Sequence, residues 1–93
     1  MDMKDMERAV IVIIGNDRTG ILAACATEVA KVNGNVINVN QAVMDGIFTM
    51  TMVIDIGAMT CTVDVLEESV QNAVPGLSVK VMHENIFDAM HTI

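Results

Sequence analysis

The stretch VINVNQAVMDGIFTMTMVIDI (Val36–Ile56) decides the fold, because Asp45-Gly46 separates two segments rich in apolar and β-branched residues. Asp-Gly is typical of a two-residue type I′ turn, in which both residues need a positive φ. The turn predicts a hairpin of strands Val36–Met44 and Ile47–Ile56, and it fixes which side chains lie opposite each other. One face pairs Val43 with Phe48, Gln41 with Met50, Val39 with Met52 and Ile37 with Ile54. The other, smaller and more polar face pairs Ala42 with Thr49, Asn40 with Thr51 and Asn38 with Val53.

Helices and further strands are predicted on both sides of this hairpin. Before it, the unbroken apolar run Ala9–Ile14 predicts a central strand buried on both faces. Between that strand and the hairpin, Gly20–Asn33 has the apolar spacing of a helix. After the hairpin, the pattern predicts a second helix at Thr62–Val74, a last strand at Leu77–Met82 and one or two amphipathic turns in the tail HENIFDAMHTI.

The order strand, helix, strand, strand, helix, strand predicts an α+β protein with a ferredoxin-like βαββαβ sandwich. Four antiparallel strands form one sheet, two helices cover one face of it, and a short helix follows at the C-terminal end. This arrangement satisfies the handedness rule for both crossover connections. Residues 1–7 carry charges without a hydrophobic period and are expected to be a flexible leader, so residues 8–93 form a single domain.

The composition of the chain limits its partners. With 53% hydrophobic and 18% charged residues in a chain of 93, part of the surface is expected to be covered by another copy, in a homodimer or higher homo-oligomer. A net charge of −7 and scattered basic residues exclude a nucleic-acid partner and disfavour an anionic membrane surface. No apolar run is long enough to cross a bilayer. The two cysteines form no CxxC pair, which is typical of a reduced, cytoplasmic protein.

No sequence pattern predicts a catalytic residue, a metal site or a cofactor. Cys25 lies on the apolar stripe of the first helix and is expected to be a core thiol, while Cys61 opens the second helix without a neighbouring base. Met59 and Cys61 supply two soft metal ligands, but the second cysteine of such a motif is missing. His83 and His91 are expected to be a strand-end residue and a solvated helix residue.

The polar loop GNDRTG (Gly15–Gly20) is the candidate ligand site. It has neither of the glycine patterns that bind phosphates. Free N–H groups where the following helix begins attract a carboxylate, and Asp17 can accept hydrogen bonds from an ammonium group. Asn35 begins the next strand, near that helix, so the three features fit the two ends of an amino acid. The alternative is structural: Asp17 or Thr19 caps the helix, and Gly20 permits close packing of helix on strand.

The stretch VIIGNDRTGILAACATEVAKVNGNVINVNQ (Val12–Gln41) resembles the opening of an ACT domain, including the interval from Gly20 to Asn35. The likeness continues through QAVMDGIFTMTMVIDI, and the tail NIFDAMHTI resembles that of small stand-alone ACT-domain proteins of unassigned function. The resemblance implies the ferredoxin-like fold and the regulatory binding of amino acids or other small ligands between two copies. By position, it implies that Asn16, Asp17, Gly20 and Asn35 face the ligand.

The predicted function is therefore binding of a small molecule, possibly an amino acid, by a homo-oligomer that regulates a separate metabolic enzyme and catalyses nothing itself. Two positions differ from many amino-acid-binding members, which often have His in place of Gly15 and Asn in place of Asp17. One alternative function is a structural adaptor that docks a larger enzyme. Another is an acylphosphatase-like hydrolase, with Arg18 and Asn38 or Asn40 as its functional pair.

Overall fold

The computed structural model describes residues 7–90, which form one four-stranded sheet and three helices. The elements are β1 (Arg8–Asn16), α1 (Ile21–Lys31), β2 (Asn35–Met44), β3 (Ile47–Asp55), α2 (Val63–Ala73), β4 (Ser78–His83) and α3 (Glu84–Met90). This order confirms the predicted α+β, ferredoxin-like arrangement with a short C-terminal helix. Residues 1–6 of the predicted leader and residues 91–93 of the predicted tail lie outside the described residues.

The sheet has the strand order β2-β3-β1-β4, and every neighbouring pair is antiparallel. Asp45 and Gly46 have φ values of 53° and 78°, as the predicted type I′ turn requires. The predicted pairs from Val43 opposite Phe48 to Asn38 opposite Val53 are confirmed. The pairing of Ile37 with Ile54 is wrong, because β2 carries a bulge there and Val36 lies opposite Ile54 instead. One extra residue in β2 shifts the register from that point onward.

The core lies between one face of the sheet and the two long helices. Alternate residues of β1 and β3 supply the sheet side, and α1 and α2 supply Ile21, Cys25, Val29, Leu66 and Val70. Burial raises the pKa of the Cys25 thiol to about 11, and its sulfur lies 4.0 Å from the sulfur of Met52. A thiol with that pKa stays protonated near neutral pH, so Cys25 is an inert core residue, as predicted.

The two long helices are joined by a carboxylate that accepts two hydrogen bonds. Glu28 on α1 accepts from Lys31 Nζ at 2.9 Å and from Ser69 Oγ on α2 at 3.0 Å. These bonds, first from Lys31 and then from Ser69, lower the pKa of Glu28 below its ordinary value of 4.5.

At the start of α2, the Thr62 hydroxyl caps the helix by accepting from the N–H of Val65.

α3 packs on the opposite face of the sheet from α1 and α2. Its Phe87 and Met90 line a small hollow of about 250 Å³ together with Val12, Thr51, Lys80 and Met82. Val12 lies opposite both Thr51 and Lys80 in the sheet, so the four strand residues share one face. An ion pair between Arg8 Nε and Glu84 Oε1 at 3.5 Å links the start of α3 to β1.

The two outer strands of the sheet, β2 and β4, differ in how their free edges are arranged. On β4, the N–H of Val81 donates to Glu67 Oε1 on α2 at 2.8 Å instead of to a neighbouring strand. On β2, the bulge at Ile37 interrupts the regular pairing pattern, and every residue except Val39 is exposed. The β2 edge is therefore open along most of its length.

Candidate functional site

A groove of about 680 Å³ lies between the start of α1 and strand β2. Its residues come from the loop after β1, from the first turn of α1, from residues 41–43 of β2 and from Phe48 of β3. Phe48 is buried, whereas Gln41 and Val43 are exposed on the side of β2 that faces the helices. The groove exists because α1 leaves the outer strand uncovered at this end of the sheet.

Two glycines shape the loop that leads into the groove, for different reasons. Gly20 has a φ of 90°, in the left-handed region that favours glycine, and an added Cβ there would meet nothing within 4 Å. The expectation that Gly20 permits close packing is therefore wrong, and its role is the positive φ. Gly15 is the closely packed residue, because a Cβ there would overlap Leu77 Cδ2 and lie 3.3 Å from Leu77 Cα.

The first turn of α1 presents backbone N–H groups without a side-chain cap. Gly20 occupies the capping position, and no side chain of the described residues accepts a hydrogen bond there. The prediction that Asp17 or Thr19 caps α1 is wrong, because a capping side chain must stand at the residue that Gly20 occupies. The first N–H that bonds within the helix belongs to Ala24 and donates to Gly20 O at 2.9 Å. The three preceding N–H groups, of residues 21–23, lack helical partners.

Asp17 and Arg18 both line the groove, but they are held differently. The backbone N–H of Asp17 donates to Gly46 O at 2.8 Å, which ties the loop to the hairpin turn. Among residues 7–90, no group pairs with the Asp17 carboxylate, which is exposed. The guanidinium of Arg18 donates from Nη1 to Pro75 O at 2.8 Å and so fastens the loop to the connection between α2 and β4. The loop is thus held in place by the backbone bond of Asp17 and by the side-chain bond of Arg18, while the Asp17 carboxylate faces the groove without a partner among residues 7–90.

The other two predicted site residues do not line the groove. Asn16 ends β1 opposite Ile47, and strand alternation places its side chain on the face of the sheet away from α1. Asn35 begins β2 opposite Asp55, at the far end of the hairpin from the turn. The length of β2 at ~3.3 Å per residue separates Asn35 from that turn by roughly 30 Å. Within one protomer, the structure brings together Asp17 and Gly20 but not Asn16 and Asn35.

Sequence reasoning missed the groove residues on the strand side, of which Gln41, Val43 and Phe48 share the face of the sheet that meets the helices. The predicted hairpin register had already placed them together on the face that meets the helices. The missing step was to recognise that β2 is an outer strand and that α1 does not cover its end. The register together with the strand order would have identified them.

The pair suggested for a hydrolase is not assembled by the fold. Arg18 lines the groove on the helix side of the sheet, where its guanidinium is bound to Pro75 O. Asn38 and Asn40 lie opposite Val53 and Thr51, on the other face. Within one protomer, Arg18 and either asparagine therefore cannot contact the same acyl phosphate, as its hydrolysis by this pair would require.

A second hollow, of about 350 Å³, is lined by residues that include Met59, Cys61 and His83. Within the described part of the chain, no three His, Cys, Asp or Glu side chains are grouped so as to hold a metal ion. Cys61 is half-buried, two residues before the start of α2, and is a free thiol. None of the helices within residues 7–90 has the length and apolar character needed to span a membrane.

Comparisons with known proteins agree with this fold. The family model for the ACT domain matches residues 7–82. A UPF0237 protein of Listeria monocytogenes serotype 4b is 39% identical over 88 residues, which cover 92% of this chain and 99% of the relative. A UPF0237 protein of Methanocaldococcus jannaschii is 38% identical over 90 residues, covering 95% of this chain and 100% of the relative.

A solved structure, of an ACT domain protein from Streptococcus pneumoniae, is similar to this one with a TM-score of 0.73. The two chains are 24% identical, and the match covers 92% of this chain and 99% of the other, so it supports the fold. The family match and the relatives extend over nearly the whole described chain. The chain therefore belongs to the ACT domain family, whose members are typically regulatory, ligand-binding domains.

Proposed function

We propose that this protein binds a small metabolite with a carboxylate and an ammonium group, in the first instance an amino acid, in the groove between α1 and β2. It acts in the cytoplasm as a homo-oligomer, regulates a separate enzyme and catalyses no reaction of its own. One observation carries the proposal. The uncapped N–H groups of α1 and the carboxylate of Asp17, unpaired among the described residues, border the same groove.

The two polar parts of the groove are complementary to the two ends of an amino acid. The N–H groups of residues 21–23 stand at the positive end of the α1 dipole and can donate to a carboxylate. Asp17 can accept a charge-assisted hydrogen bond from an ammonium group. Leu22, Val43 and Phe48 line the groove as well, and they favour a ligand with an apolar side chain. A volume of about 680 Å³ lies in the usual range of small-molecule sites.

A second copy of the chain completes this site. β2 is an outer strand with exposed Val36, Ile37 and Val43, so its edge can pair with the β2 of another copy. In a two-fold dimer such strands run antiparallel, and the first residue of one lies near the last residue of the other. This pairing brings the partner's Asn35 to the hairpin end, beside the groove. We infer that Asn35 contributes to the site across the dimer, from the start of the partner's β2.

Thermal-shift measurements with a panel of amino acids test the proposal. A ligand at one hundred times its Kd stabilises the native state by about 2.7 kcal/mol, which raises the Tm of a domain of this size by roughly 10–20 °C. Asp17→Ala removes a charge-assisted hydrogen bond worth about 1.5–3 kcal/mol and is expected to weaken binding roughly ten- to hundredfold. Asp17→Asn keeps the size of the side chain and isolates the effect of its charge.

Glu68→Ala is the matched control, since Glu68 is an exposed carboxylate on α2 that does not line the groove. It is expected to bind ligand as the unchanged protein does. Asn35→Ala is expected to weaken binding without loss of folding, because Asn35 reaches the ligand from the partner. The proposal fails if no amino acid raises the Tm, or if calorimetry gives the same Kd for Asp17→Ala and for Glu68→Ala. A stable complex with a separate enzyme, unaffected by any amino acid, would support the adaptor function instead.

A further inference from the structure

The face of the sheet opposite α1 and α2 is covered on one half only. α3 lies over β1 and β4, where Val10 is 1% exposed. The part of β2 and β3 between the bulge and the hairpin turn, which we call the open half, carries six exposed residues on this face: Asn38, Asn40, Ala42, Met44, Ile47 and Thr49. The face therefore consists of a raised half under α3 and a lower, bare half beside it.

The width of the sheet leaves room for one more helix on this face. Four strands at roughly 4.8 Å spacing make a sheet about 19 Å wide, and a helix with its side chains is about 10 Å across. The other face accommodates two helices, α1 and α2, across the same four strands. On this face, α3 is the only helix of the described residues, so the open half has the width of a second helix.

The chemistry of the open half suits an uncharged occupant. The chain has 12 acidic and 5 basic residues and a net charge of −7, yet none of the six residues of the open half is charged. Met44 is 74% exposed and Ile47 is 42% exposed, and these two residues lie opposite each other. Two copies of so acidic a chain repel one another at most surfaces, but they can approach through this neutral one.

The flank of α3 has exposed apolar groups that match the open half, and one of them, Met90, also borders the hollow beneath the helix. Ile86 is 51% exposed and Met90 is 68% exposed. They are four residues apart and therefore form one stripe along the helix. The two apolar surfaces, one on the helix and one on the bare strands, lie side by side on the same face of the molecule. A two-fold rotation of one copy against another sets each stripe over the open half of its partner.

We propose that this face binds a second copy of the chain, with the α3 of each copy filling the open half of the other. The contact forms one layer of two α3 helices between two sheets. It uses neither the groove nor the β2 edge, and so goes beyond the proposed ligand-binding function. With edge pairing as well, the assembly is a tetramer, whereas face packing alone gives a dimer.

The mass of the protein in solution, measured by light scattering after size exclusion, tests this interface. Thr49→Glu places a charge on the open half, and Ile86→Glu places one on the α3 stripe. Each substitution is expected to halve the mass. A two-fold axis places the substituted residue at two points of the same interface, so one change disrupts the whole contact. Val65→Glu is the matched control, since Val65 is 53% exposed on α2, away from this face, and the mass should not change. Circular dichroism identifies any variant that fails to fold.

Disulfide trapping gives a second measurement that does not depend on the charged variants. In a Cys61→Ser background, a chain with Thr49→Cys is co-expressed with a chain carrying Ile86→Cys and then oxidised. A covalent dimer of the two different chains is expected. A monomeric unchanged protein, unaltered mass in both folded charge variants, or absence of the mixed disulfide overturns the inference. If Asp17→Ala loses ligand binding but keeps the mass of the unchanged protein, the interface does not depend on the ligand site, which supports this inference as distinct from the proposed function.

Discussion

The close approach of Gly15 to Leu77 permits a quantitative test of how the loop is held beside the sheet. A methyl group at Gly15 would overlap Leu77 Cδ2 and lie 3.3 Å from Leu77 Cα. Overpacking of this kind costs about 1–3 kcal/mol, while replacing glycine by alanine gains about 0.5–1 kcal/mol by restricting the unfolded chain. Gly15→Ala is therefore expected to destabilise the fold by about 1–2 kcal/mol and to lower the Tm by roughly 5–15 °C.

The double variant carries the decisive information. Leu77 is 4% exposed, so Leu77→Ala alone should cost about 2–5 kcal/mol. In Gly15→Ala with Leu77→Ala, the added methyl group occupies part of the space that the leucine leaves. The double variant should therefore be more stable than the sum of the single changes by about 1–2 kcal/mol. The rescue stays partial because the contact with Leu77 Cα remains.

Urea denaturation followed by circular dichroism is the appropriate assay, since the chain has no Trp or Tyr to report by fluorescence. Gly20→Ala is the control. Its φ of 90° makes the substitution cost about 1–2 kcal/mol of backbone strain, but its methyl group meets no atom within 4 Å. Leu77→Ala should not rescue it. Additivity of Gly15→Ala and Leu77→Ala to within about 0.5 kcal/mol would refute the steric argument.

Three further predictions concern the helices and the core. The two hydrogen bonds that Glu28 accepts, from Lys31 and from Ser69, depress its pKa, so its stabilisation is present above pH 4.5 and is lost as the pH falls below it. The Tm difference between the unchanged protein and Glu28→Gln should therefore shrink on acidification, and a difference that grows would contradict this. Thr62→Ala should cost about 1 kcal/mol in urea denaturation through loss of the α2 cap, and Thr62→Ser should retain it. Iodoacetamide near neutral pH should leave Cys25 unmodified until urea unfolds the chain, because burial raises the pKa of its thiol to about 11.

The hairpin and the element order could be predicted from the sequence because their signals are local. Asp45-Gly46 requires two positive φ values whatever surrounds it, and the register then follows residue by residue. The bulge at Ile37 could not be predicted in this way. It inserts one residue far from the turn, so the register that the turn sets does not extend past it. The side of the sheet that α3 covers was equally beyond a periodicity argument.

The candidate site was predictable in part, for a similar reason. The composition of the loop from Gly15 to Gly20, and its place between a strand and a helix, predicted it as a candidate site. The position of Asn35 relative to that loop could not be predicted in this way. Asn35 follows α1 in the sequence, so it lies near the end of that helix and not near its start. β2 begins beside the end of α1, and its other end, next to the hairpin turn, lies near the loop. The absence of a side-chain cap on α1 was not predicted either. The sequence placed the helix start at Gly20, whereas α1 begins one residue later and Gly20 takes the capping position.

The hydrogen bond between Val81 of β4 and Glu67 has a consequence for how the protein avoids fibre formation. An outer strand with free N–H groups recruits further strands, and a chain that is 53% hydrophobic would be vulnerable to unlimited strand addition. Glu67 occupies the N–H of Val81 and puts a negative charge where an incoming strand would dock. With this N–H of β4 occupied, strand addition is favoured at β2, and pairing of β2 with the β2 of a second copy would use that edge in both chains. A pair formed in this way would not extend further into a polymer of strands.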